Sequence, residues 1–224
     1  EGRVKVVRAS DGASTELAAG RSAVLGGPGR WEVGWVEWTA DAPAAADTQL
    51  SEEQPTRAFG RDAEVDVDGH EPGGKANWAL LRWDLTGIPA TALVRSAVLT
   101  LTVSDAAPDM GYDVFEARRP WTEGEATWKQ AATGRPWRAG GGRSTADRGA
   151  ELLATVVPRE PGEMHVLLGD AGLAAVQRWI RTPASNHGVF IGHASMSDGF
   201  RFLTRETPDA RRRPRLTVTY VLGR

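Results

Sequence analysis

Between Ser96 and Val103 the chain alternates, with Leu99, Leu101 and Val103 on one side of an extended backbone and Thr100 and Thr102 on the other. A period of two marks a strand, because successive side chains leave opposite faces. Short runs rich in Val, Leu, Thr and aromatics recur along the chain between Gly, Pro and Asp clusters, the pattern of a many-stranded antiparallel fold. It predicts strands at 3–9, 31–39, 47–50, 63–67, 78–85, 96–103, 112–117, 152–157, 164–168, 188–194, 200–204 and 215–221. These suit a β-sandwich of two antiparallel sheets, with one face of each strand in the core and the other wet. One segment breaks the period. From Asp170 to Thr182, Leu173, Val176, Trp179 and Ile180 recur at three- and four-residue spacing, Asp170 can serve as N-cap, and Pro183 ends the run. This predicts one short amphipathic helix covering an edge or end of the sandwich.

A chain of 224 residues can bury one sizeable core, and sandwiches of this size occur as single units. The basic residues are spread out and the net charge is −2, so there is no electrostatic footprint for nucleic acid. No apolar run approaches the ~18 residues of a membrane span, so no membrane insertion is expected. Cysteine is absent, which excludes disulfides, thiolate metal sites and cysteine nucleophiles together. The chain opens at Glu1 without an apolar leader, which fits a processed or excised fragment and does not itself locate the protein.

Residues 1–46 are Gly- and Ala-rich, and they hold two of the predicted strands, one of them the Trp-rich stretch Trp31 to Trp38. They read as an N-terminal extension that either adds strands to the main sandwich or docks on a neighbouring molecule. Residues 47–224 read as the sandwich proper.

From Asp47 onward a set of motifs follows in order. DTQLSEEQPTRAFG (Asp47 to Gly60) is followed by VDVDGHEPGGKANWALLRWDL (Val65 to Leu85), with an Ile-Pro step at Ile88 and Pro89. WTEGEATW (Trp121 to Trp128), TPASNHGVFI (Thr182 to Ile191), SDGFRFLTRE (Ser197 to Glu206) and RPRLTVTY (Arg213 to Tyr220) complete the series. Together they resemble the DNRLRE-type domain, carbohydrate-binding module family 96, although Arg57, Ala58 and Phe59 stand where the family more commonly has Thr-Asn-Tyr. The resemblance implies a jelly-roll β-sandwich. It also implies a non-catalytic appendage of secreted polysaccharide-active enzymes or large surface proteins, hence an extracellular or cell-surface location and a polysaccharide or cell-surface glycan as partner.

Alternation in the strand LLRWDL puts Leu81, Trp83 and Leu85 on one face and Leu80, Arg82 and Asp84 on the other. A guanidinium there suits a uronate carboxylate or vicinal hydroxyls, and Asp84 could accept from a sugar hydroxyl. The commoner arrangement in sheets is structural, with Arg82 paired to Asp84 or to Glu206 across strands. Arg205 and Glu206, beside Asp198 and Gly199, either extend that polar floor or tie strand ends together. Acidic oxygens at Asp47, Asp66, Asp68 and Glu71, among tight Gly turns, resemble the structural calcium sites of jelly-roll loops, although no regular calcium-binding loop is present. Calcium is the one cofactor this suggests.

The nine tryptophans invite two readings. Exposed indoles stack on the C–H faces of sugars, whereas indoles more often fill cores. Trp83, Trp128 and Trp179 are expected inside; Trp31, Trp35, Trp38, Trp78, Trp121 and Trp137 are candidates for a platform, Trp78 first among them. His70, His165, His187 and His193 lack metal spacing, and no nucleophile elbow or phosphate loop is present. Asn186 and His187 fit a capping turn after the helix. The expected function is therefore non-catalytic carbohydrate binding, on a polysaccharide that is acidic if the arginines, 24 against three lysines, meet it. The alternative is a structural subunit of an extracellular fibre, surface layer or adhesin, self-assembling through the N-terminal extension.

Overall fold

A computed structural model describes residues 3–7, 14–18, 36–40, 45–69, 75–193 and 198–222. The strands are β1 (Arg3–Val7), β2 (Ser14–Ala18), β3 (Val36–Ala40), β4 (Ala45–Ser51), β5 (Glu64–Val67), β6 (Asn77–Trp83), β7 (Ala92–Asp105) and β8 (Tyr112–Ala117). They continue with β9 (Gln130–Ala132), β10 (Arg135–Pro136), β11 (Arg148–Val156), β12 (Gly162–Leu167), β13 (Val189–Gly192), β14 (Phe200–Leu203) and β15 (Arg215–Leu222), with the helix α1 (Asp170–Arg181) between β12 and β13. Each predicted strand has a counterpart within a few residues. β2 and the β9–β10 pair were not foreseen, because neither shows sustained alternation of apolar residues.

One antiparallel sheet runs β11-β8-β13-β6-β4. The other is organised by β7, whose residues 98–100 pair with both β15 and β12. A strand residue has one neighbour on each side, so β12 and β15 flank β7 on opposite edges. β14 follows β15 along the same edge, meeting β7 at Asp105 and Val103; β3 lies outside β15 and β5 outside β14. β1 and β2 form a separate hairpin. Two packed antiparallel sheets with one short helix are the sandwich expected from the alternation.

The core between the sheets takes Leu81, Trp83 and Leu85 from the β6 run, Leu99 and Leu101 from β7, and Val176, Trp179 and Ile180 from α1. The helix spans from β7 to β11. Gln177 fastens it by donating from Nε2 to the Ala92 carbonyl at 2.9 Å and accepting the Val94 N–H at 3.0 Å. Gly169, not Asp170, is the N-cap; Asp170 lies inside the first turn, where a carboxylate still favours the positive end of the helix dipole.

The expectation of a wet second face needs correcting for both β7 and β6. Thr100 and Thr102 are buried; β7 is an interior strand, and Thr100 is bonded to His165 of β12 at 3.1 Å. On β6, Trp78 and Leu80 enter a second core with Trp121, Trp128, Trp137 and Phe190. That core is roofed by the chain from Trp121 to Gly142. Each indole removes roughly 200 Å² from water, about 5 kcal/mol of gross transfer energy. The roof is fitted closely: Gly141, at φ 69°, would place a Cβ 2.5 Å from the Trp128 ring.

Candidate functional site

Arg82 emerges where the roof ends. Its guanidinium sits 5.1 Å from the centre of the Trp121 ring, and its closest polar contact is a long one, 3.4 Å to the Trp121 carbonyl. The anticipated pairing with Asp84 or Glu206 does not form. Asp84 is exposed and accepts the Thr86 N–H at 2.9 Å, which holds the turn after β6, and Glu206 lies 3.2 Å from Arg205. Among the described residues, no carboxylate is paired with Arg82. A half-buried guanidinium thus faces a cleft of about 400 Å³ bordered by Ala46, Asp84, Thr86, Pro183 and Asn186.

The turn after α1 builds one wall of this cleft. Asn186 donates from Nδ2 to the Trp83 carbonyl at 2.7 Å and accepts the Gly188 N–H at 3.1 Å, while Trp121 Nε1 donates to the His187 carbonyl at 2.8 Å. The expected capping role of Asn186 and His187 is thus a clamp onto β6 and the roof. Gly188 is required there: it adopts φ 80°, and a Cβ would come within 1.9 Å of the Leu81 carbonyl oxygen. His187 faces a second cleft of about 440 Å³ on the far side of the turn, with Glu116, Arg118, Gly149, Glu151 and Arg178. Burial, then the Arg82 charge, hold the imidazole below its ordinary pKa, with Glu116 working in the opposite sense. Both effects favour its neutral form.

Arg205 and Glu206 belong to another cluster. Glu123 accepts both the Asp47 N–H at 2.8 Å and Arg205 Nε at 2.7 Å, and Asp47 accepts the Arg205 N–H at 2.8 Å. Glu123 and Glu206 thus meet the Arg205 guanidinium while Asp47 holds its backbone N–H, and together they tie β4, the roof and the chain after β14. Burial pushes the Asp47 carboxyl up to about 7, opposed by the Arg205 N–H and reinforced by Glu123. This is the strand-tying reading of Arg205. It takes Asp47 away from the suggested calcium set.

Of that set, Asp66 accepts from Asn77 Nδ2 at 2.8 Å and lies 3.6 Å from Arg201, and Asp68 accepts the Gly69 N–H at 2.8 Å. Asp68 and Asn77 also bridge through their backbones. The buried Asn77 Oδ1 has no hydrogen-bond partner. Asp66, Asp68 and Asn77 offer at most three side-chain ligands where calcium takes six to eight oxygens, and no group of three or more acids and histidines disposed for a metal occurs among the described residues. Glu71 and His70 lie outside them.

The tryptophans divide as the core reading had it. Trp83, Trp128 and Trp179 are buried, and so are Trp78, Trp121 and Trp137, so Trp78, at 1% exposure, offers no stacking face. Trp38 is partly buried against the main core, and Trp31 and Trp35 lie outside the described residues. What the sequence did not single out is the pair of clefts, Arg118 in the lining of the second, and Glu123 as the partner of Asp47 and Arg205. Trp121 and Glu123 sit in the WTEG motif, which marked them as a block without saying what they touch.

Residues 38–136 match the sequence model of carbohydrate-binding module family 96, so the resemblance read from the motifs holds over that segment. The match takes in Asp47, Arg82, Asp84, Arg118, Trp121 and Glu123, and stops short of α1, His187 and Arg205. No curated protein matches the chain.

Proposed function

We propose that the chain is a non-catalytic carbohydrate-binding module that holds a secreted or surface protein against a polysaccharide bearing acidic sugars. The observation behind this reading is Arg82, a half-buried guanidinium left without a carboxylate at the rim of a cleft, inside the segment that matches the family. Burying a cation without a partner costs free energy, and a ligand carboxylate with adjacent hydroxyls would supply the missing acceptors. Asp84, exposed beside it, can take a sugar hydroxyl on its second oxygen.

Affinity gel electrophoresis with alginate, polygalacturonate and a neutral chitin-type polymer tests the reading, with and without EDTA. Retardation by the acidic polymers is expected, and Arg82→Ala should weaken it about 10- to 100-fold, the loss of one charge-assisted contact. EDTA should change neither retardation nor thermal stability, because Asp66, Asp68 and Asn77 offer at most three side-chain ligands where calcium takes six to eight oxygens. No retardation by any polymer, together with concentration-dependent assembly in sedimentation, would favour the structural-subunit alternative, and release of unsaturated or reducing ends would show an enzyme instead.

A further inference from the structure

The two clefts meet at one turn. Asn186 borders the first and His187 the second, and the Trp121 ring that underlies Arg82 is bonded to the His187 carbonyl. With Asn186 clamped to the Trp83 carbonyl and Gly188 pressed on β6, the turn is a fixed saddle between two depressions. Each volume, about 400 and 440 Å³, falls within the range of small-molecule sites.

The second cleft also carries an arginine without an acidic partner. Arg118 is exposed, lines the cleft, and makes no side-chain hydrogen bond or ion pair among the described residues. It lies over Gly149, where a Cβ would stand 3.8 Å from its Nε. Across the cleft, Glu116 accepts from Arg178 at 2.5 Å and from Trp179 Nε1 at 2.9 Å, so its charge is already matched. The one unmatched anion on this wall is the exposed Glu151.

We infer that a single linear glycan bearing carboxylates lies across the saddle and fills both clefts, one acidic sugar against Arg82 and another against Arg118. This rests on the carbohydrate reading and adds to it a length requirement and a second recognition residue. Two arginines on either side of a rigid turn discriminate by spacing as well as charge, because a chain too short to cross reaches only one of them. Glu151 opposes a ligand whose carboxylates fall out of register with Arg118.

Calorimetric titration of the full chain with oligogalacturonates and oligoguluronates, from disaccharide to hexasaccharide, tests this. Affinity should climb with length and level off once both clefts are filled. Arg82→Ala should weaken every length about 10-fold or more, whereas Arg118→Ala should weaken only the long oligomers, by about 10-fold. Glu151→Gln should strengthen the long ones. All three side chains lie at the surface or rim, so unchanged thermal unfolding is expected and is checked in parallel. If the disaccharide binds as tightly as the hexasaccharide, or Arg118→Ala matches the wild type at every length, the inference is overturned while the carbohydrate reading stands. If no length binds, both fall.

Discussion

Asp47 carries the largest electrostatic cost among the charged residues near the site. It is buried, its carboxyl is raised from 3.8 to about 7, and Glu123 and Glu206 share its one cation. The sign follows from linkage. The folded state holds this proton more tightly than the unfolded state, so the stabilisation is complete below pH 3.8, erodes as pH rises toward 7, and is gone above it. Asp47→Asn keeps an oxygen for the Arg205 N–H and leaves Arg205 paired with Glu123 and Glu206. The variant should be about 1 kcal/mol or more stabler than wild type at pH 8, with the gain shrinking at pH 5. Denaturant titrations across that range decide it, and a variant less stable at both pH values removes the argument. His187 gives a second residue-level test. Its pKa is lowered by burial and by Arg82, with Glu116 opposing, so it takes up a proton at lower pH than a free imidazole does. Affinity for a polyuronate should therefore rise as pH falls below neutrality, and His187→Ala should flatten that rise.

At the scale of elements, the division of β6 into two faces was legible because alternation is a local property. What covers each face was not, since the roof from Trp121 to Gly142 is brought onto β6 by contacts far apart in sequence. Arg82 and Trp78 share a face, yet one is half exposed and the other closed off, a difference that periodicity cannot express. The pairing of Arg82 failed for a similar reason: Asp84 was close in sequence, but its oxygen was taken by the Thr86 N–H. The helix was legible almost to the residue because its apolar spacing and Pro183 are both local signals. The turn that follows it is where helix, roof and sheet meet, and Gly188 sets its path. Gly188→Ala combines a φ of 80° with a collision against the Leu81 carbonyl, and should cost about 3 kcal/mol or more. It should also weaken polysaccharide binding, since Asn186 and His187 would move with the turn; an unchanged melting temperature would contradict this packing.

For the molecule as a whole, the sequence offered two roles for the N-terminal extension, extra strands on the sandwich or docking on a neighbour, and β3 takes the first. The reading from motifs began the sandwich at Asp47, because the family-like residues begin there. Yet β3, at Val36–Ala40, pairs residue by residue with β15 from Tyr220 to Leu216, and β4 begins at Ala45, opposite Trp83. Trp38 packs on the main core, and a Cβ at Gly87 would stand 3.0 Å from its indole nitrogen. The last three residues of the Trp-rich stretch, Val36 to Trp38, therefore pair on the chain's own sheet. The pairing predicts a cooperative unit that begins at or before Val36. A chain starting at Asp47 would expose the edge of β15 and lose the burial of Trp38, Ala45 and Ala46, which should remove about 3 kcal/mol or more, or roughly 6–12 °C in melting temperature at this size. A chain starting at Val36 should melt close to the full-length protein. An exposed β15 edge should also make the shorter chain aggregate, since an unpaired strand invites pairing with another copy. Equal melting of the two truncations, with both monomeric in sedimentation, would place β3 outside the cooperative unit.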